Sequence, residues 1–206
     1  AAPPNYLPTT QAELAGCTRR LADELPLPLF LYNMPGLTKV WFAIDTVAQL
    51  AAHENIVGVK DSSGDMEYFA HLTALRDERR PDWSVFFGPE HLLVDALELG
   101  GDGGVNGGAN VLPEMFVGCY NAFVAGESAR VNELRERIEQ FQQIYAIGEN
   151  VSRFIQATKC ALSLSGICED HLAEPFAHCR DEARDQIEQV LRSIRRDADH
   201  ISHLSN

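Results

Sequence analysis

The sequence predicts an α/β fold in which short parallel strands are covered by helices. Three observations carry this reading. Apolar runs of four or five residues, Leu29-Phe30-Leu31-Tyr32, Ile56-Val57-Gly58-Val59-Lys60 and Ser84-Val85-Phe86-Phe87-Gly88, alternate with segments of helical periodicity. Each run is bounded by Pro, Gly, Asn or Asp, residues that break regular structure. The strand-plus-helix unit returns at intervals of roughly 25–30 residues, as βα units do.

Ala1–Pro8 is Pro-rich and reads as extended. Thr10 and Glu13 form a capping-box signature for a helix to about Glu24, with Leu14, Cys17 and Leu21 on one face. Pro26 and Pro28 introduce the first strand, and Asn33-Met34-Pro35-Gly36 ends it. Thr46–His53 is expected as a short helix before the second strand. Asp61-Ser62-Ser63-Gly64-Asp65 is a turn feeding a helix to about Arg79. The third strand precedes a helix over Glu90–Leu99, and Gly100–Asn106 holds a weak, glycine-rich fourth strand. A helix from Pro113 reaches about Ala125. Beyond Gly126 the β pattern stops, and residues 127–147, 150–164 and 178–196 read as amphipathic helices.

The composition, 45% hydrophobic and 23% charged, is that of a globular chain with its own core. A formal net charge of −13 argues against a nucleic-acid partner, since phosphate binding needs clustered Lys and Arg. No apolar run approaches the ~20 residues of a membrane span. No charged segment leads into an apolar one at the start, so no secretory signal is expected and a cytoplasmic location is. Cys17, Cys119, Cys160, Cys168 and Cys179 are odd in number, lack a Cys-x-x-Cys pair, and four lie in helical patterns. They read as reduced thiols, and the absence of tightly spaced Cys and His pairs disfavours a zinc site.

Lys60 closes an otherwise apolar strand, following Ile56, Val57 and Val59. In parallel α/β proteins active sites gather at the C-terminal strand ends. A partly desolvated amine there is a nucleophile toward carbonyls, whereas a lysine that merely snorkels to water is the bland alternative. Tyr32 ends the first strand in the same way and could relay protons, or simply pack its ring in the core. The run Gly100-Gly101-Asp102-Gly103-Gly104-Val105-Asn106-Gly107-Gly108-Ala109-Asn110 lacks the Gly-Lys-Ser/Thr ending of a phosphate loop and reads as close backbone approach. Glu90 and Asp95 read as surface charge at a helix N-terminus. His178 and Cys179 are adjacent and would point to different helix faces. No Gly-x-Ser-x-Gly nucleophile elbow occurs.

Together, Leu31-Tyr32-Asn33-Met34-Pro35, Val57-Gly58-Val59-Lys60 with Ser63-Gly64-Asp65, and Gly101-Asp102-Gly103-Gly104 through Asn110 and Pro113 resemble the dihydrodipicolinate synthase/N-acetylneuraminate lyase family of class I aldolases. Ala2-Pro3-Pro4-Asn5-Tyr6 is similar to that family's segment after its fourth barrel strand. The resemblance implies a TIM (β/α)8 barrel, of which this sequence holds strands 5 to 8 over 1–126 and a C-terminal helical extension over 127–206. It implies a Lys60 imine with pyruvate or a longer 2-oxo acid, proton transfer by Tyr32, and no metal or organic cofactor. Substrate contacts are implied at Ser62, Gly88, Glu90, His91 and Val105, and a tetramer or dimer as the assembly.

Synthase members of the family carry an arginine five residues after the tyrosine; here it is Leu37. Lyase members place an Asp-Glu pair where this chain has Glu90-His91, and a serine where it has Gly107. The expected activity is cleavage or formation of a hydroxylated 2-oxo acid, such as a sialic or 2-keto-3-deoxy sugar acid. A dihydrodipicolinate synthase-like synthase, a sugar-acid dehydratase and a non-catalytic 2-oxo acid-binding protein are the alternatives. The family's carboxylate-binding Gly-Thr-Thr-Gly-Glu segment is not in this sequence. The 206 residues are therefore expected to be a piece of a longer protein, or a half-barrel completed by self-association.

Overall fold

The computed structural model describes residues 1–4, 8–148 and 153–204, with side chains to residue 196. The chain divides into two compact units, Ala1–Asn106 and Gly107–Asn206. In the first, α1 (Gln11–Glu24) leads to β1 (Leu29–Asn33), then α2 (Pro35–Thr38), α3 (Ile44–Leu50), β2 (Ile56–Asp61) and α4 (Met66–Arg79). β3 (Ser84–Phe87), a 3-10 turn at Glu90–Leu92, α5 (Leu93–Glu98) and β4 (Gly103–Gly104) complete it. The strands form one parallel sheet in chain order. The expected glycine-rich strand shrinks to these two residues, glycine having no side chain with which to extend a packed strand.

The sheet packs one face into a hydrophobic core. Leu31, Val59, Val85 and Phe87 lie fully buried with Leu14 of α1, Val47 and Leu50 of α3, and Phe69 and Leu72 of α4. The opposite face carries Phe30, Tyr32, Lys60 and Phe86, which are half-buried. This is the period-2 alternation of a strand, and it decides which residues are available for chemistry.

The capping box of α1 forms as expected: the Thr10 hydroxyl accepts from the Glu13 N–H and the Glu13 carboxylate accepts from the Thr10 N–H at 2.9 Å. Its buried face is a correction. Leu14, Ala15, Thr18 and Ala22 point inward, while Cys17 and Leu21 are exposed. Small side chains bring the helix close to its neighbours, and a pattern of large apolar residues alone misassigns that face. Asp65 caps α4, its carboxylate accepting from the Tyr68 N–H at 3.0 Å.

The second unit is helical among its described residues. α6 (Pro113–Val124) packs on α7 (Ser128–Phe141), which runs into a 3-10 turn at Gln142–Ala146; α8 (Arg153–Leu164) and α9 (Asp181–Leu204) follow. Phe116 meets Phe141 edge to face, with ring centroids 6.4 Å apart. α6 lies within the second compact unit. The start of the helix expected over 150–164 falls partly on 149–152, outside the described residues. Cys168 and Cys179 lie outside helices, so Cys17, Cys119 and Cys160 are the helical cysteines, one fewer than expected. His178 likewise precedes α9, so His178 and Cys179 occupy no helix face.

Candidate active site

Parallel register sets Tyr32 beside Lys60, and Lys60 beside Phe86, across the C-terminal ends of three neighbouring strands. All three side chains rise from the half-buried face. The Lys60 ammonium lies over the Tyr32 ring, 4.6 Å from its centroid. Beneath them Phe30 stacks on Phe86 with centroids 5.6 Å apart. The stack crosses β2 at Gly58, where a Cβ would lie 2.4 Å from the Phe30 ring and 2.3 Å from the Ser84 carbonyl oxygen. Glycine at 58 lets the aromatic floor close under the lysine.

One residue further along each strand, the alternation turns Asn33 and Asp61 into the core, both at 0% exposure. The Asn33 amide donates to the Asp61 carboxylate at 2.7 Å, and its oxygen accepts from the Phe42 N–H at 3.1 Å. Asp61 also accepts from the Ser63 N–H at 3.2 Å and from its hydroxyl at 2.8 Å. Backbone bonds tie the same strand ends: the Ser62 N–H donates to the Asn33 carbonyl at 2.8 Å, and the Gly88 N–H to the Asp61 carbonyl at 2.7 Å. Burial pushes the Asp61 carboxyl up; hydrogen bonds from Asn33 and Ser63 oppose this, and the nearby Asp65 adds to it. The pair was missed from sequence. Its signal was two polar residues at core-facing positions, directly after the two functional candidates.

The other expected contacts divide. Ser62 and Gly88 are brought together: a Cβ at Gly88 would lie 1.9 Å from the Ser62 hydroxyl oxygen, so the loops after β2 and β3 touch there. The Asn106 amide donates to the Gly88 carbonyl at 2.8 Å, and the Val105 N–H to the Phe87 carbonyl at 2.8 Å, with the Val105 side chain half exposed. His91 is exposed. Glu90 is 4% exposed, which corrects its reading as surface charge. Leu37, on α2, is 71% exposed. At Gly107 a Cβ would meet the Phe154 ring at 2.8 Å, so a serine there would require that ring to move. Among the described residues no group of three or more His, Cys, Asp or Glu side chains is placed to hold a metal ion. No described helix is long and apolar enough to cross a membrane.

A lysine and a tyrosine thus stand on adjoining parallel strand ends above a packed α/β layer, the place where barrel proteins gather their sites. The model of the dihydrodipicolinate synthetase family matches residues 1–194, and the chain belongs to that family. It is 31% identical over 190 residues to a probable 2-dehydro-3-deoxy-D-pentonate aldolase of Escherichia coli K12, covering 91% of this chain and 62% of that protein. Among solved structures, the dihydrodipicolinate synthase of Bacteroides thetaiotaomicron is 41% identical with a TM-score of 0.88, over 93% of this chain and 64% of that one. A prophage protein of the same family from E. coli K12, solved in complex with pyruvate, is 26% identical with a TM-score of 0.87, over 94% and 65%. The chain therefore spans less than two thirds of the length of these relatives, and its four strands are part of a (β/α)8 barrel.

Proposed function

We propose that the protein to which this chain belongs is a class I aldolase that cleaves or forms a hydroxylated 2-oxo acid through a Lys60 Schiff base. The observation that carries the proposal is the register pairing of Tyr32 with Lys60, their side chains on one face with the ammonium 4.6 Å from the ring centre. The free amine of Lys60 adds to C2 of pyruvate or a longer 2-oxo acid, and loss of water gives the imine. In the longer 2-oxo acid the C4 hydroxyl then gives up its proton, the C4 fragment leaves as an aldehyde, and the electrons of the C3–C4 bond flow into the imine, leaving an enamine. Protonation at C3 and hydrolysis return the amine and release pyruvate. Tyr32 carries protons to and from the substrate oxygens. The substrate contacts expected at Ser62, Gly88, Glu90, His91 and Val105 belong to the same proposal, with Glu90 the one that is buried in this chain.

The site needs no metal or organic cofactor in this scheme, and the protein is cytoplasmic and works as a tetramer or dimer. The division into a barrel part over 1–126 and a helical extension over 127–206 belongs to the same proposal. Support for a pyruvate-type ligand comes from the relative solved with pyruvate, and support for a sugar-acid substrate from the pentonate aldolase and from Leu37. The 41% identity to a dihydrodipicolinate synthase favours a second reading, condensation of pyruvate with an aldehyde to a cyclic product. Incubating the full-length protein with a panel of 2-keto-3-deoxy sugar acids and sialic acid tests the first reading. Release of pyruvate with the matching aldehyde is expected. Loss of water alone, or no turnover of any sugar acid alongside condensation activity, would overturn it.

A further inference from the structure

Asn33 and Asp61 are the last residues of β1 and β2, and the aldolase scheme gives them no part. Strand ends normally fray, because the paired backbone stops there. Here side chains carry the pairing on. The bond from the Asn33 amide to the Asp61 carboxylate crosses between the strands in the same register that sets Tyr32 beside Lys60. The network reaches further. Asn33 holds the N–H of the fully buried Phe42, and the Tyr68 hydroxyl donates to the Phe42 carbonyl at 2.6 Å. Tyr68, on α4, also meets Trp41 edge to face with ring centroids 5.2 Å apart. On the other strand, Ser63 anchors Asp61 through its N–H and its hydroxyl, and that hydroxyl accepts from the Asp65 N–H at 3.1 Å. Both strand ends are thereby tied to the first turn of α4.

We propose that Asn33 and Asp61 are positioning residues for the Lys60 chemistry. Their bond joins β1 to β2 one residue beyond the site and so holds the Tyr32 hydroxyl where it can hand its proton to the substrate oxygen. The inference rests on the Schiff-base reading given above. The step served is loss of water from the carbinolamine formed when the Lys60 amine adds to C2. Tyr32 gives its proton to the C2 hydroxyl, the C–O bond breaks to release water, and the nitrogen lone pair forms the C=N bond of the protonated imine. Successive side chains leave a strand on opposite faces, so fixing the backbone direction at 33 and 61 fixes it at 32 and 60. The phenol oxygen is the far end of a long side chain, and a small tilt of the strand end displaces it most. Misplacing a reacting group by about 1 Å can cost on the order of 100-fold in rate.

The test is the rate at which the full-length protein forms its borohydride-trappable pyruvate adduct, measured by rapid mixing across pyruvate concentrations. In Asn33→Ala the rate at saturating pyruvate should fall about 10- to 100-fold, with the half-saturating concentration unchanged. Asp61→Ala opens the same bond from the other strand and should act alike. Asp61→Asn still offers an oxygen to the Asn33 amide and should restore most of the rate. In a Tyr32→Phe background, Asn33→Ala should slow the step no further. Loosening of the fold in general would slow both backgrounds alike, and Val47→Ala, a core truncation on α3, should leave the rate unchanged. Full rate in folded Asn33→Ala or Asp61→Ala, or additive losses with Tyr32→Phe, would overturn the positioning role while the Lys60 reading stands. An unsubstituted protein that forms no adduct would overturn the Lys60 reading and the positioning role with it.

Discussion

Tyr32 and Lys60 stand on one face of the sheet, and their chain neighbours Asn33 and Asp61 are locked together on the other. The buried pair thus fixes the strand ends that hold the candidate catalytic groups. Asn33→Ala would leave the Phe42 N–H and one bond of the Asp61 carboxylate unsatisfied in the core. Its expected cost is about 1–3 kcal/mol of unfolding free energy in urea melts. Asp61 adds a pH signature. Its carboxyl is raised, mainly by burial, so it binds its proton more tightly in the folded state than in the unfolded one. Its contribution to stability is present in full below the unfolded value of about 3.9 and is lost as pH rises through the higher folded value. Asp61→Asn removes this dependence. Relative to the variant, the unsubstituted protein should lose stability as pH rises from roughly 3.9 through the folded value, then level off. A difference independent of pH would contradict the role given to Asp61. The two polar residues at core-facing positions were visible in the sequence, but their pairing was not. The contact spans 28 residues and depends on a strand register that no local pattern states.

At the scale of elements, β1, β2 and β3 were legible because each is a compact apolar run between breakers, and α1 and α4 because their caps are written in Thr10, Glu13 and Asp65. The inward face of α1 was not, since Ala15, Thr18 and Ala22 carry less apolar signal than the exposed Cys17 and Leu21. Glu90 was misread for a related reason: helix-terminal charge usually faces water, and here it is buried. Gly58 shows how an element can be tuned by one missing methyl group. A Cβ at that position meets the backbone oxygen of Ser84 on the neighbouring strand, which cannot step aside without opening the β2–β3 ladder. Gly58→Ala should therefore destabilise by about 1–3 kcal/mol in urea melts and disturb the Phe30–Phe86 stack. A neutral outcome would contradict the close approach.

For the whole molecule, the chain spans 62% to 65% of the relatives compared above, and the outer edge of the sheet carries further backbone bonds. Ala1 lies along the outer edge of β1, its amino group donating to the Phe30 carbonyl and its own carbonyl accepting from the Tyr32 N–H at 2.7 Å. That is the bonding of a neighbouring parallel strand. Leu21, Leu25 and Leu27, at and beyond the end of α1, stay exposed. On the proposed reading, this edge and this apolar surface are covered by further βα units or by a second copy. The family was legible from Lys60, Tyr32 and the glycine-rich segment. The substrate was not, because Leu37, Glu90 and Gly107 match no single member pattern.

The central claim is that Lys60 is the Schiff-base amine, and the sequence carries its own controls in the other lysines, Lys39 and Lys159. Folded protein incubated with excess pyruvate, reduced with borohydride and mapped by peptide mass spectrometry should carry one reduced adduct, on Lys60, absent from Lys60→Arg. Folded protein with no adduct on Lys60, or with adducts spread evenly over Lys39, Lys60 and Lys159, would contradict the account.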